Sequence, residues 1–179
     1  GEQGHDVAAT GLALLCFMGH GAKHTESGPY HDVASRAVRW LCDQLDDKGR
    51  FKAKDMYDQG IAGIAIAEAY ALTKDPELLP HVENMVDYII RAQHPKTGGW
   101  RYQPGDPGDT SVVGWQVMAL KSARLGGVKI EDGVLKRTSR WLKQVGGGKH
   151  GGHYVYYNKS PKPPMVSECM FCQQLLGIP

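Results

Sequence analysis

An all-α fold of repeated helical hairpins is what the 179-residue sequence predicts, and two periodic series predict it. In the first, a hydrophobic stretch ends in glutamine and is followed by glycine and an aromatic residue. Arg39-Trp40-Leu41 leads to Gln44, with Gly49 and Phe51 beyond; Tyr88-Ile89-Ile90 leads to Gln93, with Gly98 and Trp100; Arg140-Trp141-Leu142 leads to Gln144. Gln44 and Gln93 stand 49 residues apart, Gln93 and Gln144 stand 51 apart. The second series pairs Asp6 with Gly11, Asp58 with Gly63 and Asp109 with Gly114, at spacings of 52 and 51 residues for both members. A period near fifty with two helical segments in each marks an array of hairpins, none of which buries its apolar face alone.

Two kinds of helix alternate. Val7 to Met18, Gln59 to Leu72, Ser111 to Leu125 and Val166 to Leu176 are apolar or small on nearly every face, which predicts helices buried all round. Between them, Val33, Ala37, Trp40, Leu41 and Leu45 keep helical spacing, as do Leu78, Val82, Met85, Ile89 and Ala92, and Val134, Thr138, Trp141, Leu142 and Val145. These amphipathic segments keep one wet face. Asp75 before Pro76 reads as an N-cap followed by proline at the first helical position, and Asp109 precedes the fifth helix. Alternation of this sort implies an inner and an outer layer of about seven helices. Loops are expected at Asp46 to Tyr57, His94 to Gly108 and Val145 to Pro164; within the last, Tyr154-Val155-Tyr156-Tyr157 predicts a short strand or hairpin.

Bulk composition narrows the classes of function. Apolar residues make up 41% and charged residues 22%, as in a globular chain, and one domain over 1–179 is expected. Twenty-one basic against 19 acidic residues leave a net charge of +2 without a basic cluster, so no nucleic-acid partner is expected. The apolar run from Leu12 to Met18 is too short for a membrane span. Position 1 is glycine, so localisation is not legible. Cys16, Cys42, Cys169 and Cys172 all fall in helical patterns, and the Cys169-x-x-Cys172 pair lies in an apolar stretch rather than at a strand-to-helix turn. Buried free thiols are expected there. Cys16, His20 and His24 fall at i, i+4 and i+8, but Gly19 and Gly21 predict a helix end before His24. Neither a metal nor a cofactor is expected.

The hydrophobic stretch, glutamine, glycine and aromatic together resemble the QW repeat of squalene–hopene cyclases and related terpenoid cyclases, with one extra residue in Gln93-x4-Gly98-x-Trp100 and Gln44-x4-Gly49-x-Phe51. The stretches Asp6 to Leu15, Met56 to Ala62, Gly98 to Tyr102 and Gly108 to Gln116 look like the bacterial prenyltransferase/squalene-oxidase repeat proteins. The resemblance covers almost the whole chain. It implies an α/α toroid, present here as a partial ring or open arc belonging to a longer chain. The family's catalytic motifs match less closely. Asp106-Pro107-Gly108-Asp109-Thr110 stands nearest to the cyclase Asp-x-Asp-Asp-Thr but with different spacing, and no histidine follows Cys169 to complete a prenyltransferase zinc set.

Candidate sites follow from the periodic residues. Asp6, Asp58 and Asp109 open successive inner helices, and equivalent positions in an arc meet at one rim. Converging carboxylates there raise one another's pKa or bind a cation, whereas plain N-capping stabilises each helix by about 1 kcal/mol. Asp109, with Asp106, is the candidate catalytic pair; Asp6, Asp58, Tyr57, Tyr102 and Trp115 are the candidate ligand-binding residues. Tyr57, Trp100, Tyr102, Trp115, Tyr154, Tyr156 and Tyr157 form an aromatic set whose ring faces attract cations. Trp100 has the alternative role of stapling its loop to the helices beside Gln93. The expected function is a non-catalytic scaffold for an apolar ligand or protein partner. The alternatives are a terpenoid cyclase or prenyltransferase-like enzyme acting on an isoprenoid, and a carbohydrate-active toroid. The terminal inner helices are expected to expose apolar surface toward the rest of a longer chain or a second copy.

Overall fold

Helix periodicity in the sequence becomes seven helices in the computed structural model, which describes residues 4–149, 152–156 and 160–177. They are α1 (Asp6–Gly19), α2 (His31–Asp43), α3 (Met56–Thr73), α4 (Leu79–Ala92), α5 (Thr110–Leu125), α6 (Asp132–Val145) and α7 (Pro163–Leu176). The strand expected near Tyr154 is half of a two-stranded antiparallel hairpin, β1 (Gly146–Gly147) with β2 (His153–Tyr154), where Gly146 faces Tyr154. The expectation placed on Tyr157 lies outside the described residues.

The odd-numbered helices pack side by side in the order α1, α3, α5, α7. The even-numbered helices lie over the seams: α2 on α1 and α3, α4 on α3 and α5, α6 on α5 and α7. Small residues make the row close. A Cβ on Gly11 of α1 would lie 3.0 Å from the Ala62 Cα of α3, and one on Gly60 of α3 would lie 2.8 Å from the Trp115 Cβ of α5. Each covering helix drives an apolar stripe into the seam beneath it. In α4 the stripe is Val82, Met85, Val86 and Ile89, all buried, and each such side chain contributes about 1.5–3 kcal/mol.

Position in the row decides burial, and two expectations are corrected by it. The middle helices α3 and α5 are buried on nearly every face, as their composition predicts. Helices α1 and α7 have the same composition but, among the described residues, a neighbour in the row on one side only. Leu12, Ala13 and Cys16 of α1 are exposed, as are Met170 and Phe171 of α7, so neither helix is buried all round. Cys16 is accordingly an exposed thiol, while Cys169 and Cys172 are buried and free. Burial pushes the Cys172 thiol up to about 12 and raises that of Cys169 further, which keeps both protonated and unreactive.

Asp75 does not cap α4. Its carboxylate accepts from the Glu77 amide (3.0 Å) and its carbonyl from the Leu78 amide (3.1 Å), forming a separate turn that delays the helix to Leu79. The other Asp75 oxygen pairs with His24 Nε2 at 2.9 Å, tying the loop after α1 to the start of α4. Helix α1 ends at Gly19, so Cys16 and His24 do not share a helix face.

The loop after α4 is the best-formed staple. Trp100 is fully buried and its indole Nε1 donates to the Ile89 carbonyl at 2.8 Å. Gln93 Nε2 donates to the Gly98 carbonyl, the Val134 carbonyl and Thr138 Oγ1, and its Oε1 accepts from Arg137 Nε at 2.7 Å. In the first repeat the glutamine with this role is Gln59, not Gln44: its Nε2 donates to Gly49 and its Oε1 accepts from the Phe51 amide, both at 3.0 Å.

Candidate functional site

The N-terminal ends of α3 and α5 and the start of α7 gather most of the polar groups that the sequence singles out. Asp109 is the N-cap of α5, with an extended backbone. Its Oδ1 accepts from the Val112 amide at 3.0 Å and from Ser111 Oγ at 2.9 Å. The other oxygen, Oδ2, is buried and accepts no hydrogen bond among the described residues, although Arg101 Nε lies 3.7 Å away. Tyr57, on the first turn of α3, hydrogen-bonds Ser111 Oγ. Because Ser111 donates its own proton to Asp109, Tyr57 is the donor in that pair, and the relay Tyr57–Ser111–Asp109 runs toward the carboxylate.

Two more tyrosines extend the cluster. The Tyr57 and Tyr102 rings lie 5.9 Å apart at 37°, and the Tyr102 and Tyr156 hydroxyls are 2.5 Å from each other. The Arg101 guanidinium sits 5.3 Å from the Tyr102 ring centroid. The backbone holds these loops in place. Met56 N–H donates to the Tyr102 carbonyl, Thr110 N–H to the Tyr156 carbonyl and Asp109 N–H to the Trp100 carbonyl. Burial raises the Tyr57 phenol, and burial followed by its bond to Tyr102 raises that of Tyr156, so both stay neutral across the physiological range.

Glu168 of α7 completes the group. Its carboxyl is pushed up to about 7, first by burial and then by the negative charge of Asp109. No repeat marks this residue in the sequence. The signal that reveals it is that Glu168 is the single charged side chain in the stretch Val166 to Leu176. Arg101 and Ser111 are likewise additions that their neighbours in space disclose.

The periodic aspartates do not share one site. Asp6 stands exposed in the first turn of α1, behind His5 at the cap position. Asp58 is fully buried, and it caps the neighbouring helix instead of its own. Its Oδ1 accepts from the Ala8 amide of α1 at 3.2 Å and its Oδ2 pairs with His5 Nδ1 at 2.9 Å, while α3 is capped by Asp55. Asp106 closes its own loop, its Oδ2 accepting from the Gln103 amide at 3.0 Å. Trp115 is half-buried, with its Cβ against Gly60.

His5, Asp55 and Asp58 each offer one ligand atom within 4.8 Å of the others. Two helix N-termini converge there, and their unpaired amides and positive dipole ends account for both carboxylates without an ion. A small cleft is lined by Asp55, Met56, Tyr102 and Gln103, and two larger ones lie away from these groups. One of about 390 Å³ is lined by His24, Arg39, Asp43, Asp75 and His81, and one of about 450 Å³ by His153, Pro161 and Val166. No helix of the described residues is long and apolar enough to cross a membrane. The chain matches no family model, no curated protein and no solved structure.

Proposed function

We propose that this chain is a non-catalytic repeat scaffold, an open arc of the α/α-toroid kind seen in prenyltransferase/squalene-oxidase repeat proteins, that binds an apolar ligand or a protein partner. The observation that carries this reading is the apolar surface at the two ends of the helix row. Leu12 on α1 is 44% exposed, Met170 on α7 59% and Phe171 47%. A repeat array needs polar caps to end in water, and these edge helices lack them. The use of Asp58 and Asp109 as helix caps supports the same reading, since both carboxylates are engaged in holding the row together.

Sedimentation over a range of concentrations tests it. The wild-type chain is expected to associate, and Leu12→Ser combined with Met170→Ser is expected to remain monomeric with an unchanged helical spectrum. A wild-type chain that stays monomeric at high concentration, and binds neither an apolar probe nor a partner, would overturn the reading.

One observation favours a second reading, a cyclase-like or prenyltransferase-like enzyme: Glu168 holds a proton near neutral pH beside a second carboxylate, as a general acid does. Asp109→Asn separates the two. In a scaffold, asparagine caps as well as aspartate, so stability changes by less than about 1 kcal/mol while Asp109→Ala loses about that much. Turnover of an isoprenoid or triterpene substrate by the wild type, abolished in a folded Asp109→Asn variant, would establish the enzyme instead.

A further inference from the structure

The row of odd-numbered helices has a direction. Among the described residues it has three joints, and at each the repeated glycine sits on the earlier helix and faces the later one. A Cβ on Gly11 of α1 would meet the Ala62 backbone of α3; one on Gly63 of α3 would lie 3.4 Å from the Ala119 Cβ of α5. One on Gly114 of α5 would lie 2.9 Å from the Glu168 carboxyl carbon of α7. Gly60 of α3 repeats the pattern against Trp115 of α5. Every joint is therefore head-to-tail, a glycine face against an unlike face of the later helix. The two ends of such a row differ in kind. Helix α1 is left with the face that receives a preceding helix, and α7 with the face that meets a following one.

Both faces are open. Ala9, Leu12, Ala13 and Cys16 of α1 are exposed, and helical spacing of about 3.6 residues per turn sets them on the side away from Gly11. Ser167, Met170, Phe171 and Gln174 of α7 are exposed at i, i+3, i+4 and i+7, away from the buried Cys169 and Cys172. None of these side chains is charged, so pairing the two faces strips no ion of its water. Their relief is complementary. Alanines flank Leu12 on α1, whereas two long side chains, Met170 and Phe171, project from α7. The α3–α5 joint packs in this manner, with Gly60 beneath the Trp115 Cβ. Large side chains against small ones interdigitate to interior density, whereas two α7 faces would set large against large.

We propose that a second copy of this chain covers these faces, the α7 edge of one copy packing on the α1 edge of the next. Resting on the scaffold reading, this pairing names the protein partner and the way it docks. It continues the row in its own direction, so the contact is a further joint of the kind the fold already builds between α1, α3, α5 and α7. Like-to-like pairing, α1 on α1 or α7 on α7, has no counterpart among the joints of the row. A head-to-tail contact leaves one face free at each end of an assembly. Copies therefore add until a ring closes, or extend as a filament where the rotation does not close.

Two charge-blocked variants of the full chain test the pairing by sedimentation. Leu12→Glu spoils the α1 face alone, and Met170→Glu spoils the α7 face alone. Each variant by itself is expected to be monomeric, while the wild type grows beyond a dimer as concentration rises. An equimolar mixture is expected to give a one-to-one complex of twice the monomer mass and nothing larger, because one intact face of each kind remains. The same mixture should shield Cys16 of the Met170→Glu chain, whose exposed thiol N-ethylmaleimide labels when that chain is alone. Ala13→Glu and Phe171→Glu serve as a second pair should either first variant lose its helical spectrum. Dimers of either variant alone, or a mixture that stays monomeric beside an associating wild type, would overturn head-to-tail pairing and leave the scaffold reading intact. A monomeric wild type would overturn the pairing as well, and the scaffold reading would then rest on an apolar probe or another partner.

Discussion

Trp100→Ala is expected to destabilise the chain by about 3–5 kcal/mol, the usual result of emptying a large buried aromatic site. The ring is fully buried, and truncation also leaves the Ile89 carbonyl of α4 without the indole proton it accepts. Trp141 is expected to show a loss of the same order for a different reason. Its ring covers the loop backbone where Gly99 and Gly108 come together, their missing side chains leaving 3.0–3.2 Å between an ideal Cβ and the indole carbons. Its own Nε1 is buried without a hydrogen bond among the described residues, so alanine there forfeits packing alone. Thermal and urea melts read both values. Losses below about 1 kcal/mol for the two variants would show that the loops are not stapled to the helices in this way.

The layered arrangement of helices was legible because it rests on spacing, which physics reads as faces. The stripe Val82, Met85, Ile89 predicts a seam helix and is one. What spacing does not carry is how many neighbours a helix has. Val7 to Met18 and Gln59 to Leu72 look alike as composition, yet α1 is an edge and α3 is flanked on both sides. Periodic residues also proved unequal. Gln44, Gln93 and Gln144 recur at nearly fixed intervals, but Gln93 alone of the three is buried and serves both its loop and α6. Asp58 and Asp109 are 51 residues apart, while the caps of their helices are Asp55 and Asp109. The helix start has slipped by three residues between repeats, turning Asp58 away from its own amides toward those of α1. The candidate site was half legible. Tyr57, Tyr102 and Asp109 sit together around the starts of α3 and α5, but Glu168 depends on the docking of α7 against Gly114, a contact between helices that no local pattern encodes.

The repeated glycine after each glutamine is the position where one added methyl group does most harm. Gly49 and Gly98 have φ of +79° and +80°, a left-handed conformation that costs an L-residue about 1–2 kcal/mol. Space adds to that cost. A Cβ on Gly49 would fall on the Asn84 carbonyl and lie 2.6 Å from the Met85 amide nitrogen of α4; one on Gly98 would fall on the Arg137 carbonyl of α6, 2.6 Å from its carbon. Helical backbone cannot yield as a side chain can, and overpacking against it costs a further 1–3 kcal/mol or about that. Gly49→Ala and Gly98→Ala are therefore each expected to destabilise by about 2–5 kcal/mol in urea melts. Gly148, four residues after Gln144, supplies the internal control. Its φ is +77°, but the nearest atom to an added Cβ is His153 Nδ1 at 2.7 Å, on an exposed side chain able to swing away. Gly148→Ala should lose only the conformational cost, about 1–2 kcal/mol. Equal losses at all three positions would mean that backbone conformation, and not the close approach of loop to helix, sets the requirement for glycine in this repeat.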